Sequence, residues 1–258
     1  TYLEKMISGE WPATMNLTES GAGSDLSEMR TRAERAGDGS YRIFGQKIFI
    51  TYGEHDMSDN IVHLVLARLP DAPPGTRGIS LFVVPKFMVN EDGSPGARND
   101  VFCSGLEHKL GIHGSPTCVM VYGDKGGAVG YLVGEENKGL ACMFTMMNDA
   151  RLATGLQGVA IGEGAYQHAL AYARERRQGR AAGTAAKGMG PIVEHPDVKR
   201  MLATMKALTQ SARAVCYGTA GAIDRSRPPA HPAQRKRQAA RAGLLTPLAQ
   251  AHSSHIGN

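Results

Sequence analysis

The sequence predicts an α+β protein in which an antiparallel β sandwich or barrel domain is followed by an α-helical bundle domain. Short β-rich runs separated by turn residues recur from about Trp11 to Gly134, a spacing that is typical of antiparallel sandwiches and barrels. From about Lys138 onward the apolar pattern becomes helical, and no convincing strand follows it. The chain of 258 residues is long enough for one large or two ordinary domains.

The predicted strands lie in the first half of the chain. Residues Ala13–Thr18 alternate between apolar and polar side chains, a period of two that fits a half-buried strand. The segments Asp71–Thr76 and Asn90–Asp100 are rich in Gly, Pro and Asp, so both are predicted to be loops. The longer β-rich runs are Tyr41–Ile50, Asn60–Arg68, Ile79–Pro85, Thr117–Tyr122 and Ala128–Val133.

Three helices are predicted in the second half. The first begins near Lys138, the second runs from Asp197 to about Tyr217, and the third begins near Ala233. The third helix is expected to be bent or broken around Pro247, because proline removes a backbone donor. The predicted buried face of the first helix consists of Met143, Met147, Leu152, Leu156 and Val159.

Four glycines, Gly155, Gly158, Gly162 and Gly164, lie inside the first predicted helix, where each costs up to about 1 kcal/mol relative to alanine. We interpret them as sites of close helix packing. A dinucleotide-binding fingerprint would need a preceding strand and a βαβ unit, which the sequence does not contain. Further along, the Ala- and Gly-rich stretch Ala181–Gly190 is predicted to be a flexible loop between helices.

The most informative stretch is TMNLTESGAGSD, Thr14–Asp25, which runs from strand-like alternation into a glycine-rich turn. Gly21 and Gly23 permit backbone conformations closed to other residues, so that amide groups and the Ser24 hydroxyl can converge on an anion. Taken alone, such a motif is more often a turn or a helix cap. A phosphate-binding role therefore depends on a second motif.

The second motif follows about one hairpin later, where Tyr41–Thr51 reads YRIFGQKIFIT. Together the two motifs resemble the acyl-CoA dehydrogenase family. In that family a T-E-x-x-A-G-S-D element is followed, after a hairpin, by a G-x-K-x-[WF]-I-T element, and both line the flavin of FAD. This sequence has TESGAGSD at Thr18–Asp25 and GQKIFIT at Gly45–Thr51, in the same order.

The resemblance extends over nearly the whole chain. It continues through Glu107–Cys118, Gly130–Phe144 and Met147–Arg180. The GIHGSPT wording is most similar to the long-form branch that includes 3-methylthiopropanoyl-CoA dehydrogenases. The resemblance implies that residues 1–10 end an N-terminal helical domain, that 11–136 form the flavin-binding middle β domain, and that 137–258 form part of the C-terminal helical bundle.

FAD is the cofactor that the resemblance implies, and the implied reaction is α,β-dehydrogenation of an acyl-CoA thioester with hydride transfer to flavin N5. An electron-transfer flavoprotein is the expected electron acceptor, and a homodimer or homotetramer is the expected assembly. The contacts with the flavin pyrimidine and N5 map to Met15, Leu17, Thr18, Phe49, Ile50 and Thr51.

Two of these residues depart from the common pattern of the family. Phe49 stands where many members have tryptophan, so the apolar wall is kept but an indole donor is lost. Met15 likewise replaces a common aromatic residue. Ser24 is expected near the FAD pyrophosphate and the CoA chain.

Further binding residues are implied on the first long helix and after it. Asn148 and Arg151 match the segment that contacts CoA. Arg176 and Gln178, in ERRQGR, match an E-R-x-Q-F-G element whose arginine reaches the FAD of a neighbouring subunit, although the phenylalanine of that element is missing here. For each arginine taken alone, a solvated helix face is the alternative interpretation.

No catalytic residue is predicted within the chain. The general base of the family is usually a glutamate near the end of the C-terminal domain. A minority of members place it immediately before the arginine that aligns with Arg151, a position that is Ala150 here. Asp149 is adjacent, but one residue turns a side chain about 100° around a helix. The base glutamate is therefore expected beyond Asn258, and the chain is expected to be a fragment.

Composition is that of a soluble enzyme with no metal. The four cysteines show no C-x-x-C spacing and are predicted to be reduced core residues, while the nine histidines form no H-E-x-x-H cluster. No apolar run approaches the roughly 20 residues of a membrane span, and the first residues lack a signal-peptide layout. We therefore expect a cytoplasmic protein that does not enter a membrane.

The positive charge supports a second hypothesis. The net charge is +5 with an isoelectric point near 9.1, and much of the excess lies in Arg225–Arg241. A DNA-associated, adaptive-response flavoprotein of the same family is therefore the alternative function. Against it, this run has no interleaved aromatic residues, so nucleic acid ranks well below acyl-CoA as a partner. A catalytically inactive flavin-binding scaffold ranks third.

Overall fold

The computed structural model describes residues 2–183, 187–227 and 231–257. The chain divides into two compact units, residues 1–144 and 145–258. The first unit carries the strands and the second is helical. No helix within the described ranges is both long enough and apolar enough to cross a membrane.

The first unit begins with a short helix and continues with strands, so the predicted order of β and α regions is confirmed. Its described elements are α1 (Tyr2–Ser8), β1 (Ala13–Asn16), β2 (Arg32–Arg35), β3 (Tyr41–Thr51), β4 (Val62–Arg68), β5 (Ile79–Pro85), β6 (Phe87–Val89), β7 (Pro95–Arg98), β8 (Val101–Leu106), β9 (Thr117–Tyr122) and β10 (Ala128–Leu132). Short 3₁₀ turns lie at Leu26–Glu28 and Gly75–Gly78.

The main sheet is closed into a barrel by β2, a strand of only four residues. The strand order is β1-β4-β5-β10-β3-β9-β8, and β2 pairs with both β3 and β4. Because β2 joins two strands that are otherwise separated by β5 and β10, the ring β4-β5-β10-β3-β2 is complete. Most pairs are antiparallel, but β1 runs parallel to β4, with Ala13 opposite Val62. The barrel alternative is therefore the one that the structure adopts.

The core of the first unit lies between the central strands. Val65, Leu66 and Ala67 are consecutive residues of β4, and none of the three is exposed. A strand that is covered on both faces has a continuous apolar run instead of an alternating one. Each fully buried aliphatic or aromatic side chain contributes about 1.5–3 kcal/mol. The core cluster includes Ile43, Ile50, Val65, Phe82, Val84, Val101, Met120 and Tyr122.

Four strands, β2, β6, β7 and β8, were absent from the sequence prediction. β7, Pro95–Arg98, lies inside the segment Asn90–Asp100 that was predicted to be a loop, and it pairs with β6. That prediction was wrong because β7 has no apolar run; its pairing is secured by a turn at Gly93, whose φ is +85°. The strands β2 and β8 were missed for a related reason, since β2 reads RAER and β8 is exposed over its second half.

The helical region contains three long helices in its described part, α2 (Gly139–Glu175), α3 (Pro196–Arg225) and α4 (Pro232–Gly257), and a 3₁₀ turn at Ile192–Glu194. The helix α3 extends beyond the predicted end at Tyr217. The helix α4 continues through Pro247, so of the two predicted alternatives, a bend or a break, the break is wrong. Just before that proline, the Thr246 hydroxyl donates to the Ala242 carbonyl at 2.7 Å.

Close packing explains two of the four helical glycines clearly. A Cβ at Gly155 would lie 2.9 Å from the Ala249 carbonyl oxygen, and a Cβ at Gly158 would lie 2.2 Å from that of Ser253. Both contacts are between α2 and α4 within the second unit. At Gly162 the nearest atom is 3.1 Å away, and around Gly164 there is open space. The packing interpretation is therefore confirmed for Gly155 and Gly158 and wrong for Gly164.

The buried face of α2 is centred on these glycines. Gly155 and Gly158 are buried, as are the predicted core residues Met143 and Val159. Leu156 is 40% exposed, so its assignment to the buried face was wrong. The reason is that a glycine can approach the α4 backbone more closely than a leucine can. The helix therefore turns its glycines, and not Leu156, toward α4.

The predicted loop Ala181–Gly190 includes residues 184–186, which lie outside the described residues. The ends of the loop are tied together by backbone hydrogen bonds. The Gly190 N–H donates to the Gly179 carbonyl at 2.9 Å, and the Gln178 N–H donates to the Gly190 carbonyl at 3.0 Å. These bonds hold Gly190, at the end of the loop, beside Gln178 and Gly179, just before its start.

Candidate functional site

The two sequence motifs are adjacent in the first unit. The Ile48 N–H of β3 donates to the Thr18 carbonyl at 2.9 Å, which places the residues that directly follow β1 beside the end of β3. Leu17 and Thr18 are half-buried there, and Thr51 is exposed. The structure therefore brings Thr18 beside the Phe49–Thr51 segment, as the motif pairing requires.

A buried ion pair ties the motifs together. The Lys47 ammonium donates to Glu19 Oε1 at 2.9 Å and to the Leu17 carbonyl oxygen at 2.9 Å. The Lys47 side chain has no exposed surface, and Glu19 is 8% exposed. One residue comes from TESGAGSD and the other from GQKIFIT. The segment after β1 that carries Leu17 and Thr18 is thus held against β3 by a charged contact.

Glu19 has further partners in the two residues that precede β2. Its carboxylate accepts hydrogen bonds from the Thr31 N–H at 3.0 Å, the Thr31 hydroxyl at 2.5 Å and the Arg30 N–H at 2.7 Å. Burial acts to raise the pKa of Glu19, but the Lys47 ammonium and these hydrogen bonds hold it below its usual range. Burial lowers the pKa of Lys47 to about 8, against the opposing attraction of Glu19.

Sequence reasoning missed Glu19 and Lys47 as members of the site. Both stand inside the quoted motifs, but neither was given a role. The available signal was Lys47 itself, a cation within the otherwise apolar second half of β3. Lysine is almost never fully buried unless it is paired, so its position in a predicted core strand calls for a nearby acid.

The backbone of β3 is distorted at Phe49. Its pairing with β9 shifts register between Lys47 and Ile50, and Phe49 has a φ of +62°. A positive φ is an outlier for a bulky residue, and such strain is concentrated at binding and active sites. As a result Phe49 is 57% exposed while Ile50 is 2% exposed and points into the core. Ile50 can therefore contact a ligand only through its backbone.

The glycine-rich turn does not use the backbone freedom that glycine permits. Neither Gly21 nor Gly23 has a positive φ. The turn is closed instead by two hydrogen bonds between the backbones of Glu19 and Ala22, at 3.0 and 3.1 Å. The Asp25 carboxylate accepts from the Ser27 N–H at 2.9 Å and caps a 3₁₀ turn.

What the glycines do provide is access. No atom lies within 4 Å of a Cβ built at Gly21, and at Gly23 the nearest atom is Thr18 Cγ2 at 3.7 Å. Gly21, Gly23 and Ser24 are all exposed. The Ser24 hydroxyl is thus available to a ligand that approaches the turn beside Thr18.

A buried polar network lies behind β1. The Tyr122 hydroxyl donates to Asn16 Oδ1 at 2.7 Å, and the Asn16 amide donates to Thr14 Oγ1 at 2.8 Å. Thr14 Oγ1 is 2.8 Å from His63 Nδ1. All four side chains are buried, and burial lowers the pKa of His63 to about 3. Met15 lies between Thr14 and Asn16 on the opposite face of β1 and is 36% exposed.

The candidate residues of the helical unit form two local pairs. Arg151 Nη1 donates to Asn148 Oδ1 at 3.3 Å, one turn apart on α2. Arg176 Nη2 donates to Gln178 Oε1 at 3.1 Å just after α2 ends. Asn148, Arg176 and Gln178 are exposed. The structure therefore shows two side-chain pairs that the sequence analysis did not predict, and the CoA and FAD contacts expected of these residues stay predictions.

Two family models match the chain one after the other. The model for the acyl-CoA dehydrogenase middle domain matches residues 14–124. The model for the acyl-CoA dehydrogenase C-terminal domain matches residues 137–246. The first match contains both motifs of the β unit, and the second contains α2, α3 and much of α4.

The chain is also similar to characterised proteins. It is 59% identical over 223 residues to a 3-methylmercaptopropionyl-CoA dehydrogenase of Ruegeria pomeroyi, a match that covers 86% of this chain and 37% of that protein. It is 45% identical over 262 residues to a butyryl-CoA dehydrogenase of Syntrophomonas wolfei, covering 99% and 43%. The chain thus spans about two fifths of the length of these relatives.

A crystal structure of an acyl-CoA dehydrogenase from Bacillus anthracis, complexed with FAD, has the same fold. Its TM-score is 0.75 at 26% identity, over 99% of this chain and 40% of that one.

Proposed function

The chain belongs to the acyl-CoA dehydrogenase family, and on that premise we propose that the protein is an FAD-dependent enzyme that converts an acyl-CoA thioester to the 2-enoyl-CoA. The observation that carries the proposal is the adjacency of the two motifs, with Ile48 bonded to Thr18. That contact places the exposed aromatic ring of Phe49 next to Thr18, where the glycine-rich turn that follows β1 begins.

The residues present fit a flavin. An isoalloxazine needs an apolar surface for its rings and polar groups along its pyrimidine edge. Phe49 and Met15 supply exposed apolar surface, at 57% and 36% exposure. Leu17, Thr18, Ile50 and Thr51 supply backbone groups and two hydroxyls at the strand ends. We assign these six residues to the flavin, and when bound, FAD supplies the hydride acceptor of the reaction.

Phosphates are assigned to the glycine-rich turn. The Ser24 hydroxyl is proposed to contact the FAD pyrophosphate and the CoA chain, since Ser24 is exposed and the space around Gly21 is open. Asn148 and Arg151 are proposed to bind CoA from α2. Their mutual hydrogen bond orients the Asn148 amide oxygen toward the guanidinium, which leaves the amide N–H groups of Asn148 for a ligand.

Arg176 and Gln178 are proposed to bind the FAD of a neighbouring subunit in a homodimer or homotetramer. The proposal is supported by their pairing and exposure and by their place in the family element. An electron-transfer flavoprotein is proposed as the electron acceptor, in a cytoplasmic pathway of acyl-CoA oxidation. These assignments rest on the family resemblance.

The group that removes the α-proton is proposed to lie outside residues 1–258. At the alternative position on α2 stands Ala150, which has no titratable group. The chain spans 37% of the Ruegeria relative, so most of such an enzyme lies elsewhere. The described residues would then hold the cofactor and the thioester, while the remainder supplies the base.

The DNA-associated alternative is not favoured. The relatives reported above carry the names of acyl-CoA dehydrogenases, and the motifs occupy the matched middle domain. The basic run Arg225–Arg241 includes residues outside the described ranges, and its described part forms the end of α3 and the start of α4. Nothing in this described part of the run points to a nucleic acid.

The test is an anaerobic titration of the purified full-length protein. We expect it to carry FAD, and we expect the flavin absorbance to bleach on addition of butyryl-CoA or 3-methylthiopropanoyl-CoA. Mass spectrometry should show an enoyl-CoA product that has lost two hydrogens. A protein without flavin, or one whose flavin no acyl-CoA in a panel of chain lengths reduces, would contradict the proposal.

A further inference from the structure

We infer that the buried Lys47 ammonium acts through the Leu17–Thr18 peptide group as a positioning residue, and that it makes the site bind the reduced, anionic flavin more tightly than the oxidised flavin. The inference rests on the proposed function, because it assumes that Thr18 meets the flavin pyrimidine. The inference assigns a role to Lys47, which lies inside the second motif but was given no role there.

The geometry of one peptide group supports this. Lys47 Nζ donates to the Leu17 carbonyl oxygen at 2.9 Å from inside the unit. A peptide group is planar and trans, so the Thr18 N–H points in the opposite direction, away from Lys47. The next carbonyl, that of Thr18, is held by the Ile48 N–H at 2.9 Å. The orientation of the Thr18 N–H is therefore fixed from both sides.

The burial of Lys47 gives this contact its strength. The side chain has no exposed surface, so its charge acts in a medium of lower effective dielectric constant than water. A hydrogen bond from an ionised donor is roughly twice as strong as a neutral one, and successive hydrogen bonds polarise one another. An ammonium on the Leu17 carbonyl therefore makes the Thr18 N–H a better donor to an anion.

Glu19 opposes this effect. Its carboxylate shares the same ammonium at 2.9 Å and partly neutralises its charge. The carboxylate is held in place by Thr31 and Arg30, and not by Lys47 alone. While Lys47 stays protonated, removing the charge of Glu19 should therefore increase the positive potential at the Leu17–Thr18 peptide. Removing the charge of Lys47 should decrease it. Because Glu19 also raises the pKa of Lys47 against the effect of burial, the Glu19 variant is compared with the wild type at a pH low enough to keep Lys47 charged.

The two substitutions consequently have opposite expected effects, which a purely structural ion pair would not produce. In the full-length flavoprotein, Lys47→Met should reduce the preference for reduced over oxidised flavin about tenfold, which lowers the two-electron midpoint potential by about 30 mV. At a pH low enough to keep Lys47 protonated, Glu19→Gln should raise the potential. The potential is measured by reductive titration against reference dyes, and the affinity for oxidised FAD by titration of the apoprotein.

Lys86 provides a matched control. It is also a buried lysine, 6% exposed, that pairs with an acid, Glu54, and donates to a backbone carbonyl, that of His55, at 2.7 Å. That carbonyl belongs to neither motif. Lys86→Met should destabilise the β unit without changing the flavin potential.

If Lys47→Met does not fold, the double variant Glu19→Gln with Lys47→Met removes both buried charges. Replacing a buried ion pair by neutral residues is tolerated better than breaking it. The double variant should also show a lowered potential, but by less than Lys47→Met, because the opposing charge of Glu19 is removed as well. An unchanged potential in the lysine variants, or equal decreases in the lysine and glutamate variants, overturns the inference. A wild-type protein that binds no FAD overturns the proposed function instead.

Discussion

At the scale of single residues, the β unit places uncharged and charged polar groups in its interior directly behind the candidate site. The Lys47–Glu19 pair contacts the Leu17 carbonyl oxygen through the Lys47 ammonium. The His63–Thr14 contact lies on the buried face of β1, opposite the exposed Met15. Buried polar groups of this kind are costly unless they are paired. The titratable groups among them, Glu19, Lys47 and His63, are also sensitive to pH, because burial and hydrogen bonding favour one protonation state of each.

His63 should make the β unit sensitive to acid. Burial lowers its pKa to about 3, whereas an exposed histidine titrates near 6.5. Between those values the unfolded chain binds a proton that the folded chain does not, so stability is lost as the pH falls. From pH 6.5 to 5 this single group should remove about 2 kcal/mol from the free energy of unfolding.

The measurement is urea unfolding at both pH values for the wild type and for His63→Asn. The variant should lose this part of the pH dependence. His108→Asn is the control, because His108 is exposed in the same unit. An identical pH dependence in all three proteins would mean that His63 is accessible to protons in the folded state.

At the scale of secondary-structure elements, the contact between α2 and α4 depends on glycine. Gly158 and Gly257 approach so closely that a Cβ at Gly257 would lie 2.8 Å from the Gly158 Cα. The interior of the helical unit is completed by Val159, Ala212, Cys216 and Ala249. Small residues on all three helices allow their backbones to approach one another, and a larger side chain at the contact would separate them.

Two glycine substitutions in the same helix should therefore have opposite effects. Gly158→Ala places a Cβ 2.2 Å from the Ser253 carbonyl oxygen and should destabilise the helical unit by about 3 kcal/mol or more. Gly164→Ala meets open space and should stabilise it by up to about 1 kcal/mol, because alanine has the higher helix propensity. Equilibrium unfolding followed by circular dichroism measures both. Equal stabilisation by both substitutions would show that α4 does not pack at Gly158.

At the scale of the whole molecule, the proposed binding residues are divided between the two compact units. The flavin motifs belong to the first unit, whereas Arg176 and Gln178 belong to the second. In the assembly that we propose, the second pair serves the FAD of a neighbouring subunit. FAD affinity should then depend on association between chains.

Arg176→Ala tests this dependence in the full-length oligomer. Loss of a charge-assisted, bidentate contact to the diphosphate should cost roughly 1.5–3 kcal/mol, or about one to two orders of magnitude in FAD affinity. Isothermal titration of the apoprotein gives the affinity. Arg200→Ala is the control, since Arg200 makes an exposed ion pair with Asp197 one turn away. If Arg176→Ala retains the wild-type affinity, Arg176 is only a solvated helix residue.

The sequence by itself determined the features that local pattern carries. The motifs TESGAGSD and GQKIFIT identified the family, and the apolar runs located β3, β4, β5, β9 and β10 to within two residues at each end. The helical second half followed from periodicity. These features depend on residues that are near one another in the chain, so a window of the sequence contains the information.

Tertiary structure alone decided what depends on distant residues. The closure of the barrel rests on β2, a polar strand of four residues whose pairing with β3 and β4 is not visible in its own composition. The strain at Phe49 arises from a register shift against β9. The Lys47–Glu19 pair joins residues 28 positions apart. Each of these is a consequence of long-range pairing, in which burial and hydrogen bonding outweigh local conformational preference, and only the folded chain brings the partners together.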